Sequence, residues 1–480
     1  MSHSTEAAGT PAAPAPEAPL APRRRRTVVV AAAAALVVAA AAVVTVAVVR
    51  SGDEPVGDPA PASVPVALPG VDVPGGTTVG VVLTLGDAEG SQWSEAAQGA
   101  LVAERRLALG GTGVSVVAEN DGGTDAGARD AVASLVEQGA SGIVVATSGP
   151  HAAGAVAAAA EAGVPVVLPY ASADDLGTDL GDARSTAPTA VQRGAALAVA
   201  LGDASSVLLV DAGGGSPQGV EVAQIATVAR DADLTASAAE IARLTGVVPP
   251  TSTEEAGSGE AATGETAPAP VETPADAVVV SGPAARQGAV VAALQAADVS
   301  VPLVLTADAT SPAFAEALVA AGGSSAGSMV TVGAETDDAV ALRSDAAGRS
   351  MSAFLGGVRV LAQDGDATNL TGDLPFSAVA DAADSRSHDA VLALVRAVST
   401  AGSREGEATR TSLSTLELGP GDGVAGPVLD LTRPEALDGE VVPLHASAQS
   451  LGLRPAPADG AAPVVWFAAA ATTTAATDEG

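Results

Sequence analysis

Four valine-rich runs alternate with segments of helical length between residues 78 and 169, and this alternation constrains the fold most strongly. The runs read TVGVVLTL (78–85), VSVVAE (114–119), GIVVAT (142–147) and VPVVLP (164–169). Continuous apolar runs are typical of strands that are covered on both faces, because a strand with one solvent-exposed face alternates polar and apolar residues. Such strands, separated by helices, predict a parallel sheet between two helical layers.

A sheet of this kind binds its ligands at the carboxyl ends of its strands. Short polar loops rich in glycine follow the four runs: GDAEGSQW (86–93), NDGGT (120–124), SGPH (148–151) and YAS (170–172). This composition suits a small molecule that is held by backbone and hydroxyl groups.

A second unit of the same plan follows. We expect a strand at 206–210, a helix at 219–230 and a strand at 236–244, then strand–helix alternation from 277 to 333. Residues 245–274, rich in Pro, Thr, Glu and Gly, predict a disordered insertion. Helical patterns at 338–362 and 387–401 precede a short helix at 411–417 and strand-like runs at 424–431, 440–446 and 463–468.

The N-terminal region predicts a membrane anchor. Residues 1–26 are expected to form a disordered tail, which ends in four Arg, and residues 27–49 carry no charge. As a helix this run covers about 34 Å, enough to cross a bilayer core of about 30 Å. Because the Arg cluster precedes it, we expect a cytoplasmic N-terminus, a linker at 50–76 and an extracytoplasmic main domain. A cleaved signal sequence is the alternative, although its apolar region is usually about 7 to 15 residues.

Composition excludes several classes of function. The chain has 56 acidic and 22 basic residues and a net charge of -34, which repels nucleic acid and anionic lipid. It has no Cys, so disulfides, thiolate metal sites and Cys nucleophiles are excluded. Since aromatic residues make up 1% of the chain, the core must consist mainly of Val, Ala and Leu.

Three motifs that suggest enzymes or metals have simpler interpretations. Ser148 and His151 are close enough for a nucleophilic pair, but no acid partner is placed by spacing, and a polar residue at a helix start explains His151. The GSSAG segment (323–327) follows a helix and precedes a strand, the reverse of a hydrolase elbow. The polar loop after 119 lacks regular calcium-ligand spacing. We therefore predict no enzyme activity, no cofactor and no metal.

The order of elements and several segments resemble the leucine/isoleucine/valine-binding family, the extracytoplasmic solute-binding proteins of amino-acid ABC importers. The segments are LTLGDAEGSQW with QGALVAERRL, EAGVPVVLPYASADDL, DAVVVSGPAARQGAVVAALQAADVSVPLVLTADA, HDAVLALVRAV and GVAGPVLDL. The resemblance runs from about residue 77 to 468. It implies the type I periplasmic-binding-protein fold, which has two parallel-sheet, Rossmann-like lobes joined by hinge crossings, with a ligand in the cleft and closure by hinge motion.

The resemblance also implies a division of the chain and positions for the hinges. The expected parts are a tail (1–26), a transmembrane helix (27–49), a linker (50–76), lobe 1 (77–187 plus 334–420), lobe 2 (188–333 plus 427–470) and a disordered tail (471–480). The crossings are expected near 185–189, 330–334 and 419–427.

Five ligand-binding residues are implied by position. Trp93 matches an aromatic wall, although a packing role fits it equally well. Ser148 and Ser172 match hydroxyls that hold the ligand carboxylate, helped by backbone groups at Tyr170. Asp308 matches an acid that meets the ammonium group. A zwitterion needs donors at one end and an acceptor at the other, which agrees with this set.

The sequence departs from the family in lobe 2. Gly215, Ser216, Pro283 and Ala284 stand in or near places where aromatic residues are expected, and an acid near the first crossing is replaced around Thr189. The functional expectation is a membrane-anchored protein that captures a small polar solute, an amino acid by resemblance, for an ABC permease. The alternative is a ligand sensor or scaffold of the same fold with a degenerate cleft.

Overall fold

The structure, a computed structural model, describes residues 64–247, 273–325, 327–457 and 464–468. The predicted cytoplasmic tail, transmembrane helix and C-terminal tail lie outside these residues, as do the first part of the linker and residues 248–272 of the predicted insertion. Within the ranges described, no helix has both the length and the apolar character needed to span a bilayer.

The first lobe begins as strand–helix alternation, as the sequence predicts. Its elements are β1 (Thr77–Leu83), α1 (Gly99–Leu109), β2 (Val114–Asn120), α2 (Asp125–Glu137), β3 (Ala140–Val145), α3 (Ala152–Ala162), β4 (Val166–Leu168), α4 (Ala173–Leu176) and β5 (Arg184–Ser185). The strands form a parallel sheet in the order β2-β1-β3-β4-β5.

Helices cover both faces of this sheet. Val81 of β1 belongs to the core shared with α1, whereas Val82 packs into the core formed with α2 and α3. Both side chains are fully buried. Adjacent strand residues therefore point into opposite apolar layers, which explains the continuous valine runs.

The second lobe is built from the next elements of the chain. These are α5 (Ala190–Leu201), β6 (Val207–Asp211), β7 (Gln224–Thr227), α6 (Leu234–Leu244), β8 (Ala277–Ser281), α7 (Ala284–Ala296), β9 (Leu303–Leu305), α8 (Pro312–Ala320) and β10 (Met329–Ala334). The rest of the described chain contains α9 (Ala346–Ala362), α10 (Ser385–Ala401), α11 (Gly406–Leu413), β11 (Glu417–Leu418), β12 (Val428–Asp430), β13 (Leu437–Asp438), β14 (Val441–Ser447) and β15 (Val465–Ala468).

The second sheet has the order β15-β14-β10-β9-β8-β6-β7. Strands β6 to β10 are parallel to their neighbours, and β14 and β15 add an antiparallel edge. Helices α9 to α11 return to the first lobe, where Leu392 and Leu394 of α10 join the core that contains Val81. The fully buried Phe314, Phe354 and Phe376 add aromatic volume to a core that is otherwise mostly Val, Ala and Leu.

The helix expected at 219–230 and the strand expected at 236–244 are wrong. The first region contains the edge strand β7, and the second lies within α6. Helix α6 begins after Asp233, whose Oδ1 accepts hydrogen bonds from the backbone amides of Thr235 and Ala236. Its buried residues Ala238, Ile241 and Ala242 follow helical spacing, so one face of the helix meets the core.

Two expected boundaries also require correction. Leu68 and Val71, placed in the linker, are only 5% and 6% exposed and pack into the first lobe. The amide of Leu68 donates to the carbonyl of Arg106, which ties this segment to α1. The linker therefore ends before residue 66, where the backbone also accepts a hydrogen bond from Arg106.

The third crossing lies later than residues 419–427. Strands β11, β12 and β13 form a separate three-stranded antiparallel sheet, and Leu429 and Ala436 pack into the first lobe. The chain enters the second sheet only at β14. The second crossing likewise follows β10, because residues 330–334 are themselves paired in the second sheet. Residues 186–189 join β5 to α5, within the first predicted crossing.

Candidate functional site

A cleft of about 1130 Å³ lies between the two lobes. Loops after β1, β3 and β4 line it from the first lobe, and loops after β6, β8 and β9 line it from the second. The carboxyl ends of both parallel sheets therefore face one shared space, which is where open α/β sheets bind ligands. Its volume is slightly above the usual range of small-molecule pockets, about 300 to 1,000 Å³.

Trp93 and Tyr170 form an aromatic pair on the first-lobe wall. Their rings stack with centroids 4.7 Å apart and planes 1° from parallel. Trp93 is 4% exposed, and its Nε1 donates a 3.0 Å hydrogen bond to Oγ of Ser148. The turn before it needs Gly90, whose φ is 95°, because a Cβ there would lie 2.0 Å from Oγ1 of Thr147.

Arg386 covers this aromatic pair. Its guanidinium carbon lies 4.6 Å from the Trp93 ring centroid and 4.8 Å from that of Tyr170, a cation–π arrangement. Asp384 holds both partners, since it accepts a 2.7 Å hydrogen bond from Arg386 Nε and a 2.8 Å hydrogen bond from the Tyr170 hydroxyl. Burial, followed by the nearby Asp384 carboxylate, raises the pKa of Tyr170 well above its ordinary value. Tyr170 is therefore a neutral donor.

Asp384 is also fixed by the helix that follows it. It caps α10 by accepting a hydrogen bond from the backbone amide of Ser387. Its position, and that of Arg386, is therefore set by the first turn of a helix that crosses the first-lobe core.

The two predicted serine ligands lie in different environments. Ser148 lines the cleft, where its Oγ accepts hydrogen bonds from Trp93 and, at 3.4 Å, from Gln92. Ser172 is fully buried, and its hydroxyl donates to Asp175 in the capping box of α4. The structure thus brings Ser148, Trp93, Tyr170 and Asp308 to one cleft, whereas Ser172 supports a helix start.

Asp308 faces the first lobe from a turn after β9. Its Oδ1 accepts a 3.1 Å hydrogen bond from Gln92 Nε2, so the two side chains join the lobes. Burial raises the pKa of Asp308 to about 6, and the positive charge of Arg193 opposes this shift. The carboxyl group is therefore close to its titration range at neutral pH.

A second polar contact joins the lobes beside the first crossing. Asp175 of α4 accepts hydrogen bonds of 3.1 Å and 2.7 Å from Nη1 and Nη2 of Arg193 in α5. The geometry is bidentate, which fixes orientation better than a single contact. Asp175 therefore has two roles: it forms this ion pair between the lobes, and it completes the capping box with Ser172.

Two carboxyl groups also meet between the lobes. Glu95 of the first lobe lies within hydrogen-bonding reach of Glu316 on α8. Burial, the negative charge of Glu316 and that of Asp381 raise the pKa of Glu95 to about 7. Two carboxylates this close cannot both ionise without repulsion, so protonation of Glu95 stabilises the contact.

One glycine in the second-lobe part of the cleft has a packing explanation. Gly214 and Gly282 line the cleft, and a Cβ on Gly214 would lie 2.5 Å from the backbone nitrogen of Gly282. The loops after β6 and β8 therefore touch through their backbones, which leaves no room for a side chain at Gly214, whereas a Cβ on Gly215 would meet no atom within 4 Å. The glycine-rich segment 213–219 is followed by strand β7, so the helix expected at 219–230 does not begin there.

The serine–histidine pair is not formed. His151 Nε2 lies 3.3 Å from the hydroxyls of Thr84 and Thr147 and 3.3 Å from Oδ2 of Asp121. This buried cluster lies under the loop that carries Gly90, whose added Cβ would also approach His151. The described residues contain no group of three or more metal-ligating side chains.

Sequence reasoning missed Gln92, Glu95, Arg193, Asp384 and Arg386. Asp384 had a signal, because an Asp before a helical run is a preferred N-cap. Gln92, Glu95 and Arg386 acquire their roles through partners on distant parts of the chain, namely Asp308, Glu316 and Trp93. Arg193 pairs with Asp175, which lies 18 residues earlier. No spacing in the sequence predicts those pairs.

Known structures share this architecture. The isoleucine-bound substrate-binding protein of a branched-chain amino acid transporter from Streptococcus pneumoniae aligns with 81% of this chain and 99% of its own, at 17% identity and a TM-score of 0.55. A leucine-binding protein from Thermotoga maritima aligns over 82% and 98%, at 14% identity and a TM-score of 0.51.

A third relative binds a different compound. The solute-binding protein of an ABC transporter from Rhodopseudomonas palustris, solved with 4-hydroxybenzoate, aligns over 82% of this chain and 96% of its own, at 15% identity and a TM-score of 0.53. No protein-family model matches the chain, and no curated protein matches its sequence. The chain therefore has the two-lobed type I periplasmic-binding-protein fold, and its resemblance to the branched-chain amino acid-binding proteins is confirmed for the fold.

Proposed function

We propose that this protein captures a small polar solute between its lobes and delivers it to an ABC importer, without transforming it. One observation carries this proposal: the carboxyl ends of both sheets enclose a cleft of about 1130 Å³, lined by polar and aromatic groups from both lobes. A ligand there contacts both halves at once, so its binding energy favours their approach.

The cleft offers donors and acceptors on opposite sides. Ser148 Oγ accepts from Trp93, which leaves its own O–H available to donate. Asp308 provides an acceptor from the second lobe, and only its Oδ1 is engaged by Gln92. An amino acid is the solute class that this arrangement and the fold suggest, and the isoleucine-bound relative provides a precedent.

The proposal includes the location of the protein. Residues 27–49 would anchor the chain in the membrane with residues 1–26 in the cytoplasm, which keeps the binding domain near a permease. A permease gene beside this one on the chromosome would favour delivery over sensing. Protease added to intact cells should remove the main domain and spare the tail if this orientation is correct.

A second candidate, a sensor or scaffold of the same fold, is favoured by one observation. Several cleft groups are already paired within the protein, since Gln92 holds Asp308 and Arg386 covers Trp93 and Tyr170. In a scaffold these contacts would hold the lobes together without a solute.

Thermal unfolding of the full-length chain in the presence of single amino acids separates the two candidates. A solute at a hundred times its dissociation constant adds about 2.7 kcal/mol to the free energy of unfolding. Ser148→Ala and Asp308→Asn should each reduce that gain, whereas Glu137→Gln, an exposed charge change on α2, should not. If no amino acid raises the unfolding temperature, capture of an amino acid is rejected and the scaffold candidate is favoured.

A further inference from the structure

The cleft is lined by many more carboxylates than guanidinium groups. Ten acidic side chains line it against three arginines, Arg193, Arg386 and Arg454. A cleft with walls of one charge sign concentrates ligands of the opposite sign.

Each of the three arginines is engaged by one of these carboxylates. Arg193 pairs with Asp175 and Arg386 with Asp384, both at 2.7 Å. Arg454 Nε lies 2.7 Å from Oδ1 of Asp338. The guanidinium groups on the cleft wall therefore neutralise other acids. In the part of the chain that the structure describes, Glu95, Glu316 and Asp308 form no ion pair with them, although the charge of Arg193 acts on Asp308.

The unneutralised acids face one another from the two lobes. Glu95 on the first lobe meets Glu316 on α8 of the second, and α8 also contacts the Ser91–Trp93 turn. A cation placed between two carboxylates replaces their repulsion with two attractions. The approach of the lobes would then depend on the charge of the ligand.

A buried hydroxyl on the wall of the same cleft adds an independent indication of a ligand. Ser311, at the start of α8, lines the cleft and is only 3% exposed. Its Oγ has no hydrogen-bond partner among the residues described. A buried polar atom without a partner costs free energy, which a ligand donor would recover.

We infer that the cleft binds a cationic amine ligand, with one ammonium or guanidinium group at Asp308 and a second between Glu95 and Glu316, where Ser311 Oγ accepts a further hydrogen bond. This inference rests on the proposed function and specifies its solute class. Dibasic amino acids and linear diamines share this chemistry. Only the dibasic amino acids also carry a carboxylate, to which the Ser148 hydroxyl would donate a hydrogen bond.

Calorimetric titration of the full-length chain at pH 8 with four probes tests the inference. The probes are L-arginine, putrescine, L-isoleucine and L-glutamate. We expect L-arginine or putrescine to bind at least about tenfold more tightly than L-isoleucine, and L-glutamate to bind most weakly, because charge decides the order. Binding of both cations would show recognition of the amines alone. Binding of L-arginine alone, weakened by Ser148→Ala, would add the carboxylate contact.

The double variant E95Q/E316Q tests the second cationic position. It removes two charges but keeps similar side-chain shapes, so cation affinity should fall about tenfold, the loss expected when a charged hydrogen-bond partner is removed. Glu137→Gln, which changes one exposed charge outside the cleft, should leave it unchanged. Thermal unfolding of each variant verifies that it is folded.

The outcomes separate this inference from the proposed function. L-Isoleucine binding tightest, or cation binding unchanged in E95Q/E316Q, would overturn the cationic assignment and leave solute capture standing. Saturable binding of none of the four probes, at concentrations up to 10 mM or so, would overturn the cationic assignment; a wider amino-acid screen that also failed would reject capture itself.

Discussion

Gln92 and Asp308 meet across the cleft, and the amide Nε2 of Gln92 donates a 3.1 Å hydrogen bond to Oδ1 of Asp308. Gln92 follows β1 in the first lobe, and Asp308 follows β9 in the second. The contact therefore joins the strand ends of two separate sheets. It also favours the ionised form of Asp308, although burial has the larger effect and raises the pKa of this carboxyl to about 6.

Gln92→Ala should loosen the contact between the lobes. The substitution removes a donor to a charged acceptor, worth about 1.5 to 3 kcal/mol when partly shielded from water. The pKa of Asp308 should rise further, because a hydrogen bond that favours the ionised form is lost. NMR titration of the Asp308 carboxyl carbon measures this change. An unchanged titration midpoint would show that the hydrogen bond has no role.

Ser148→Ala and Ser172→Ala should have different effects on ligand affinity. Ser148→Ala leaves Trp93 Nε1 without its acceptor and should weaken both stability, by about 1 to 3 kcal/mol, and binding. Ser172→Ala removes a helix cap and should cost about 0.5 to 2 kcal/mol of stability with affinity unchanged. Denaturant unfolding and calorimetry of both variants provide the comparison. Equal loss of affinity would place Ser172 in the binding site.

Trp93→Phe should be far milder than Trp93→Ala. Phe keeps an aromatic ring against Tyr170 but loses the indole hydrogen bond, about 1 kcal/mol, and the packing of the second indole ring. Ala leaves a cavity in a buried site and should cost about 3 to 5 kcal/mol. Chemical unfolding measures the difference. Similar losses in the two variants would mean that ring packing contributes little.

Trp93 also offers an optical signal. The chain has two Trp, so Trp466→Phe leaves Trp93 as the single indole. Trp466 packs against Phe314 with ring centroids 5.7 Å apart, and Phe should retain most of that contact. Ligand binding should then change the emission of a residue that lies on the cleft wall. Emission that does not change as calorimetric binding saturates would place the ligand away from Trp93.

Glu95→Gln should change how stability depends on pH. Glu95 has a pKa of about 7 in the folded protein and an ordinary value of 4.5, because it is buried near Glu316 and Asp381. Between pH 4.5 and pH 7, Glu95 is more often protonated in the folded state than in the unfolded state. The free energy of unfolding therefore decreases as pH rises through this range. The variant has no such loss.

The comparison requires unfolding curves for both proteins from pH 4.5 to 8. Over that range the free energy of unfolding of the wild type should decrease by about 1 to 2 kcal/mol relative to that of the variant. This figure includes a reduction for solvent screening, because Glu95 is only partly buried. Curves that stay parallel would mean that Glu95 titrates normally.

The sheet cores were predictable because their valine runs are buried on both faces. Val81 and Val82 have no exposed surface, and the sequence records this as an unbroken apolar run. Strand β7 gave no such signal, since it is a short edge strand in which Ile225 is 59% exposed. The sequence of helix α6 does indicate a helix, through its Asp233 N-cap and the helical spacing of its buried residues. The apolar residues around Ile241 form a short run, and a short apolar run is also compatible with a strand.

The site was only partly predictable, for a different reason. Ser148 and Tyr170 follow strands, so the topology places them at the cleft. Ser172 also follows a strand, but the Ser-x-x-Asp spacing to Asp175 is a capping-box pattern and explains its inward position. The Gln92–Asp308 and Glu95–Glu316 contacts join residues more than two hundred positions apart, and only the tertiary structure brings them together.

Ligand-dependent approach of the lobes is the central claim, and an interlobe distance measurement tests it most directly. The chain has no Cys, so Glu137→Cys on α2 and Ala239→Cys on α6, both exposed, would be its sole labelling sites. Pulsed electron paramagnetic resonance of the spin-labelled full-length chain should show a broad distribution of distances between the two labels. When an amino acid or amine that binds is added, the distribution should narrow toward its shorter distances. An identical distribution with and without a ligand that calorimetry shows to be bound would contradict capture by lobe closure.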